Sequence, residues 1–172
     1  MTRPNTRERP DVPKDYGLPD DDDGMLEWSW AEERLARAMN YWIATVRPDG
    51  RPHATPVWGV WHEGTLYFDG SGETRRMKNI AANPEVSVHL ESGDEVVILE
   101  GRAESAPVPP DRAFATQLAG LYKAKYAAHE YAPEPSQWDE GGLYLIRPRS
   151  ALGWMLKPGM EFGRTYTRWR WE

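Results

Sequence analysis

The chain contains no cysteine. Disulfides, thiolate nucleophiles and cysteine-held metals are thereby excluded, and a cytoplasmic home is expected. No run of about 18 apolar residues occurs, so no membrane-spanning helix is expected. The first residues, MTRPNTRERPDVPKDYGLPDDDDG, lack the apolar stretch of a secretory signal. Histidine is scarce: His53, His62, His89 and His129 are scattered and form no H-x-x-x-H pair, so no metal site is expected. There is no Walker A loop, no G-x-S-x-G elbow and no G-x-G-x-x-G before a helix. DGSGET is glycine-rich but lacks the lysine and spacing of a phosphate loop. With no paired carboxylates on an ordered element either, any chemistry has to come from a borrowed cofactor. The catalytic residues stay unassigned.

Positive charge is also short. The net charge is −6, which argues against a general nucleic-acid binder. Much of that deficit sits in residues 1–27, with four basic and eight acidic side chains. Residues 1–24 hold almost nothing to bury and read as a disordered or loosely packed acidic tail, with DDDD as a solvated run. What is abundant is aromatic surface: nine tryptophans and eight tyrosines in 172 residues. Such rings bury large areas and seek a polar partner at their edges. Residues 25–172 are long enough for one domain with a real core.

The periodicity predicts three helices and about seven strands. SWAEERLARAMN reads as a helix capped by Ser29, with Glu32 completing a capping box. Strands follow at about 41–47, 52–61 and 65–69, separated by the Asp49-Gly50 and Glu63-Gly64 turns. Pro52 and Pro56 lie inside the second, which makes it an edge or locally irregular. A short helix at about 74–82 precedes EVSVHLE and DEVVILEGRAESA, two further strands. A third helix begins near Asp111 and carries Lys123 and Lys125 near its end. GLYLIRPRSALGWML is a sixth strand, and RTYTRWRW a seventh or a terminal extension. In that last segment arginines alternate with Thr165, Thr167, Trp169 and Trp171, so the tryptophans can pack on the barrel while Arg164, Arg168 and Arg170 face outward. Many short strands with few helices give a mainly β (α+β) barrel or sandwich.

The chemically telling stretch is YFDGSGETRRMKNIAANP. Two arginines open a helix there, against the dipole, which favours negative charge at a helix N-terminus. An anion resolves the conflict. Thr74 offers a hydroxyl, Arg75 and Arg76 offer bidentate donors, and the helix offers free N–H groups: a phosphate site in outline.

The stretch ATVRPDGRPHATPVWGVWHEGTLYFDGSGETRRMKNIAANPEVSVHLE resembles the pyridoxamine 5'-phosphate oxidase-like, FMN-binding split-barrel superfamily, from about Asn40 to Ala103. The order of parts carries the resemblance: a D-G-R-P turn, T-P-V-W, an aromatic strand, a small-residue loop, a Thr-basic-basic helix start, then N-P and a strand. It implies an antiparallel six-stranded split β-barrel with a few short helices, forming a homodimer with cofactor clefts between subunits. By the same resemblance Thr74, Arg75 and Arg76 meet the cofactor phosphate. Thr55, Val57 and Trp58 lie along the ring system, and Phe68, Asp69, Gly70 and Ser71 close its other side. Two departures are visible. Arg76 stands where the family has a lysine, and Asp69 where a neutral polar residue is expected. The C-terminal part does not match the substrate-phosphate residues of a true pyridoxamine 5'-phosphate oxidase.

The resemblance implies an FMN-dependent oxidoreductase acting on a small organic substrate. Its deazaflavin branch, using coenzyme F420, is the alternative; that cofactor adds an oligoglutamate tail and wants a longer basic groove. Sixteen arginines against five lysines, with plentiful alanine and proline, are typical of GC-rich genomes such as those of actinobacteria, where F420 is used. A reading of another class is a non-enzymatic flavin or haem binding and storage protein.

Overall fold

In a computed structural model, which describes residues 3–171, the chain forms one antiparallel sheet of nine strands with three α-helices. The strands are β1 (Thr6–Glu8), β2 (Tyr41–Val46), β3 (Pro52–Val57), β4 (Gly59–His62), β5 (Thr65–Asp69), β6 (Glu85–His89), β7 (Glu95–Ser105), β8 (Leu143–Met155) and β9 (Thr167–Arg170). The helices are α1 (Trp28–Arg37), α2 (Arg75–Ala82) and α3 (Arg112–Lys125).

Nine strands replace the six implied by the resemblance: the last segment forms β9, and two further differences add one strand each. The long second strand breaks at Trp58 into β3 and β4, and the tail contributes β1. β3, with both prolines, lies at the edge of the order β1-β9-β8-β7-β6-β2-β3, where a missing N–H costs least. β8 causes the split. Its first half pairs with β5 through Leu143–Ile146, and its second half pairs with β9 through Ser150–Gly153, while β7 runs along its full length. One 13-residue strand thereby joins two sheet branches.

The first helix starts earlier than expected. Ser29 is inside α1, and the residue at its N-terminus is Glu27, which makes no capping hydrogen bond. Burial of Trp28, Ala31 and Leu35 sets the register instead, an instance of packing overriding local signals. At α3 the expectation holds: the Asp111 side chain accepts from the Phe114 N–H.

Two apolar cores result. One gathers α1, α2 and the sheet interior around Leu35, Ile43, Phe68, Leu99, Ile146 and Trp169. The other packs Leu118, Tyr122 and Tyr126 of the α3 region against Trp138, Leu143 and Leu145.

The acidic tail is anchored along much of its length. β1 pairs with β9, and Glu8 accepts from both Arg168 (2.9 Å) and Arg170 (2.8 Å). Arg9 donates to the carbonyls of Gly163, Arg164 and Tyr166. Two aspartates of the DDDD run, Asp21 and Asp23, pair with Arg164. The outward arginines of the last strand are thus met by acids of the same chain.

Candidate functional site

The site is built where β3, β5 and the start of α2 converge. Thr74 caps α2: its hydroxyl accepts from the Met77 N–H at 3.4 Å and donates to the Ser71 carbonyl at 3.1 Å. This fixes the two arginines at the first turn. Arg75 is exposed, and Arg76 turns inward, half-buried. Arg76 Nη1 donates to Thr55 Oγ1 at 3.0 Å, and its guanidinium lies 5.6 Å from the Phe68 ring centre. Its Nε is buried without a partner, and no carboxylate among the described residues pairs with either arginine. Burial holds the Arg76 guanidinium below its ordinary pKa, with Tyr144 the nearby group that counters this. A cation desolvated this far without a counter-charge is costly unless an anion joins it.

The loop between β5 and α2 comes close to Arg76. Gly70 sits at φ 156°, and a Cβ there would come within 3.5 Å of Arg76 Nη2. Lys78 pairs with Glu73 at 2.9 Å and takes no part.

The structure therefore brings together Thr55, Phe68, Gly70, Ser71, Thr74 and Arg76, with Arg75 at the rim. Val57 is buried in the core. Trp58 turns to a different neighbourhood, stacked on Tyr126 at 4.9 Å. Asp69 also looks away from Arg76: its carboxylate accepts from Tyr131, Gln137 and Trp138. Those three residues were not legible as site residues. They come from an irregular stretch that includes a single 3₁₀ turn at Pro135–Trp138, and no spacing marks them.

A second basic element adjoins the site. The β2–β3 hairpin carries Arg47 and Arg51 beside Arg75; hydrogen bonds from Arg51, then the fields of Arg47 and Arg75, hold the Asp49 carboxyl below its usual range. Arg51 is paired with Asp49, but the Arg47 Nε is buried without a partner.

Behind Trp58 lies a partly buried amine. Lys125 Nζ donates to Tyr41 Oη and to the Gly59 carbonyl, both at 2.8 Å, and no carboxylate pairs with it among the described residues. Burial brings its pKa down to about 8. The folded state then binds fewer protons than the unfolded state between about pH 8 and the ordinary lysine value, so stability rises with pH across that window and is lost as pH falls through 8. Tyr126 and Tyr131 are pushed up to about 12, so stability falls again above pH 10. Lys125→Met should raise stability at neutral pH by about 1 kcal/mol and flatten the rise between pH 8 and 10 in thermal melts. An unchanged pH profile in the variant would assign the rise elsewhere.

The sequence profile of the pyridoxamine 5'-phosphate oxidase family matches residues 31–148. No curated protein matches the chain. Among solved structures, an F420 reductase shares 27% identity with a TM-score of 0.53, covering 70% of this chain and 94% of that one. A conserved hypothetical protein of Mycobacterium tuberculosis shares 22% identity with a TM-score of 0.65, covering 82% and 94%. An FAD-binding protein of Mesorhizobium loti shares 18% with a TM-score of 0.56, covering 86% and 96%. No helix among the described residues is long and apolar enough to cross a membrane. With the family profile matched over more than half its length and an antiparallel split sheet of the same kind, the chain belongs to the pyridoxamine 5'-phosphate oxidase family.

Proposed function

We propose that this chain is an oxidoreductase that binds coenzyme F420, with its phosphate on Thr74, Arg75 and Arg76. The observation that carries the reading is Arg76: a half-buried guanidinium with an unpartnered Nε and no carboxylate paired with it among the described residues. The cofactor supplies hydride chemistry when bound. The protein's part is to hold it. Arg76 and the α2 N–H groups neutralise the phosphate, and Thr55 fixes the Arg76 fork so that the cation is presented in one orientation. The backbone of β3 along Thr55 and Val57 offers a flat wall, and the Gly70–Ser71 turn approaches from the other side. As in the family resemblance, a second copy of the chain would complete the cleft.

F420 is favoured over FMN by Arg47 on the neighbouring β2–β3 hairpin, a cation with no carboxylate paired to it among the described residues, which suits an oligoglutamate tail. The likeness to an F420 reductase points the same way. The C-terminal arginines do not serve, because Glu8, Asp21 and Asp23 already meet them. FMN, which ends at its phosphate, gains nothing from Arg47. In parallel titrations, Arg47→Ala should lower F420 affinity by about 10-fold and leave FMN affinity within about twofold. Raising salt from about 0.05 to 0.5 M should weaken F420 binding more than FMN binding. Equal losses for both ligands would remove the tail assignment and leave the FMN reading.

A further inference from the structure

Asp69 ends β5 with an unusual distribution of hydrogen bonds. Tyr131 Oη at 2.5 Å, Gln137 Nε2 at 2.9 Å and Trp138 Nε1 at 3.4 Å all converge on its Oδ2. Its Oδ1 takes no hydrogen bond, and no lysine or arginine pairs with it, among the described residues. The carboxylate lies on the wall of a cavity of about 310 Å³, with Gly70, Tyr131, Trp138 and Gly142. Gly142, at φ 85°, lets the chain ahead of β8 bend so that its carbonyl receives the Gly70 N–H at 3.0 Å.

Tyr131 connects this cavity to an aromatic platform. Its ring lies 5.5 Å from Trp58, which is 36% exposed yet held nearly parallel to Tyr126, with His129 at 5.1 Å. Tyr126 is itself locked, its hydroxyl bonded to the Gly59 N–H and to main-chain carbonyls. An exposed tryptophan fixed in this way can bind a flat ligand with little further loss of freedom. The electrostatics select the kind of ligand. Negative ring faces and a carboxylate without a counter-charge attract a cation bearing N–H groups and repel an anion.

We propose that the cavity at the end of β5 binds a planar, positively charged nitrogen compound, with its N–H groups on Asp69 Oδ1 and its ring against Tyr131 and Trp58. Only the role of that compound, as the second substrate of the oxidoreductase, rests on the cofactor reading; the pocket's selectivity is tested without any cofactor. The full chain is titrated with benzamidine and with benzoate, flat probes of matched shape and opposite charge, following tryptophan fluorescence. Benzamidine should bind at least tenfold tighter than benzoate. Asp69→Asn should abolish that preference, and Trp58→Ala should weaken benzamidine severalfold. Thermal melts identify a variant that fails to fold; if Asp69→Asn does, Trp58→Ala and the charge preference of the parent decide the matter. Benzoate binding as well as benzamidine, or benzamidine binding indifferent to both substitutions, would overturn the inference. Asp69-dependent benzamidine binding in a chain that binds neither F420 nor FMN would uphold the pocket and sink only the cofactor reading.

Discussion

Arg76→Ala should weaken F420 binding by about 10- to 150-fold, that is by about 1.5–3 kcal/mol, while leaving the protein as stable as before or more so. The two halves of this expectation have one cause. In the folded chain the Arg76 guanidinium is half-buried, hydrogen-bonded to Thr55 Oγ1, and lacks any carboxylate partner among the described residues. Removing a cation in that state relieves a desolvation cost, so the thermal midpoint does not fall. It also removes the charged donor that the phosphate needs, so binding does fall. Arg76→Lys should recover part of the affinity, since the charge returns without the planar fork. A purely structural Arg76 would behave in the opposite way, with alanine lowering the melting temperature and sparing the ligand. Calorimetric titration beside a thermal melt separates the two outcomes.

Trp169→Ala should cost about 3–5 kcal/mol, which lowers the melting temperature of a chain of this size by roughly 6–20 °C. Trp169 is 1% exposed and lies edge-on to Trp28 at 5.4 Å. The sheet is shaped around it: a Cβ on Gly153 would come within 2.8 Å of the Trp169 ring, so only glycine at that point of β8 admits the side chain. The indole also joins β9 to α1, and loss of it should loosen β1, which pairs only with β9. Trp58→Ala is the matched control. Its indole is 36% exposed and should cost less than about 1 kcal/mol. A Trp169→Ala loss as small as about 1 kcal/mol would mean that the last strand contributes little to the core.

These two residues show how the sequence could and could not be read. Trp169 declared itself through alternation, because side chains two apart share a face of a strand. Thr165, Thr167 and Trp169 are all buried, as the pattern requires. Arg76 stands out through a conflict with the helix dipole, but neither its contact with Thr55 nor the Thr74 cap on Met77 can be read from the sequence. The strand boundaries around Trp58 were harder. A single long strand and two strands broken at one residue have nearly the same alternation, and only the packing of Trp58 on Tyr126, 68 residues later, distinguishes them. Asp69 was harder still. Nothing local in YFDGSG says that its carboxylate meets Tyr131, Gln137 and Trp138, because those partners are set by how an irregular segment folds over the end of β5. The attachment of the tail is illegible for a related reason. Its acids look like a solvated run until β1 adds to the sheet edge and carries Glu8 to Arg168 and Arg170.

The most direct measurement is a calorimetric titration of the purified parent chain with F420. Saturable binding at one site per chain, with a dissociation constant in the micromolar range or tighter, about −8 kcal/mol or more, is the predicted result. Heat no greater than dilution with F420, and likewise with FMN, would leave Arg76 without its phosphate and contradict the account.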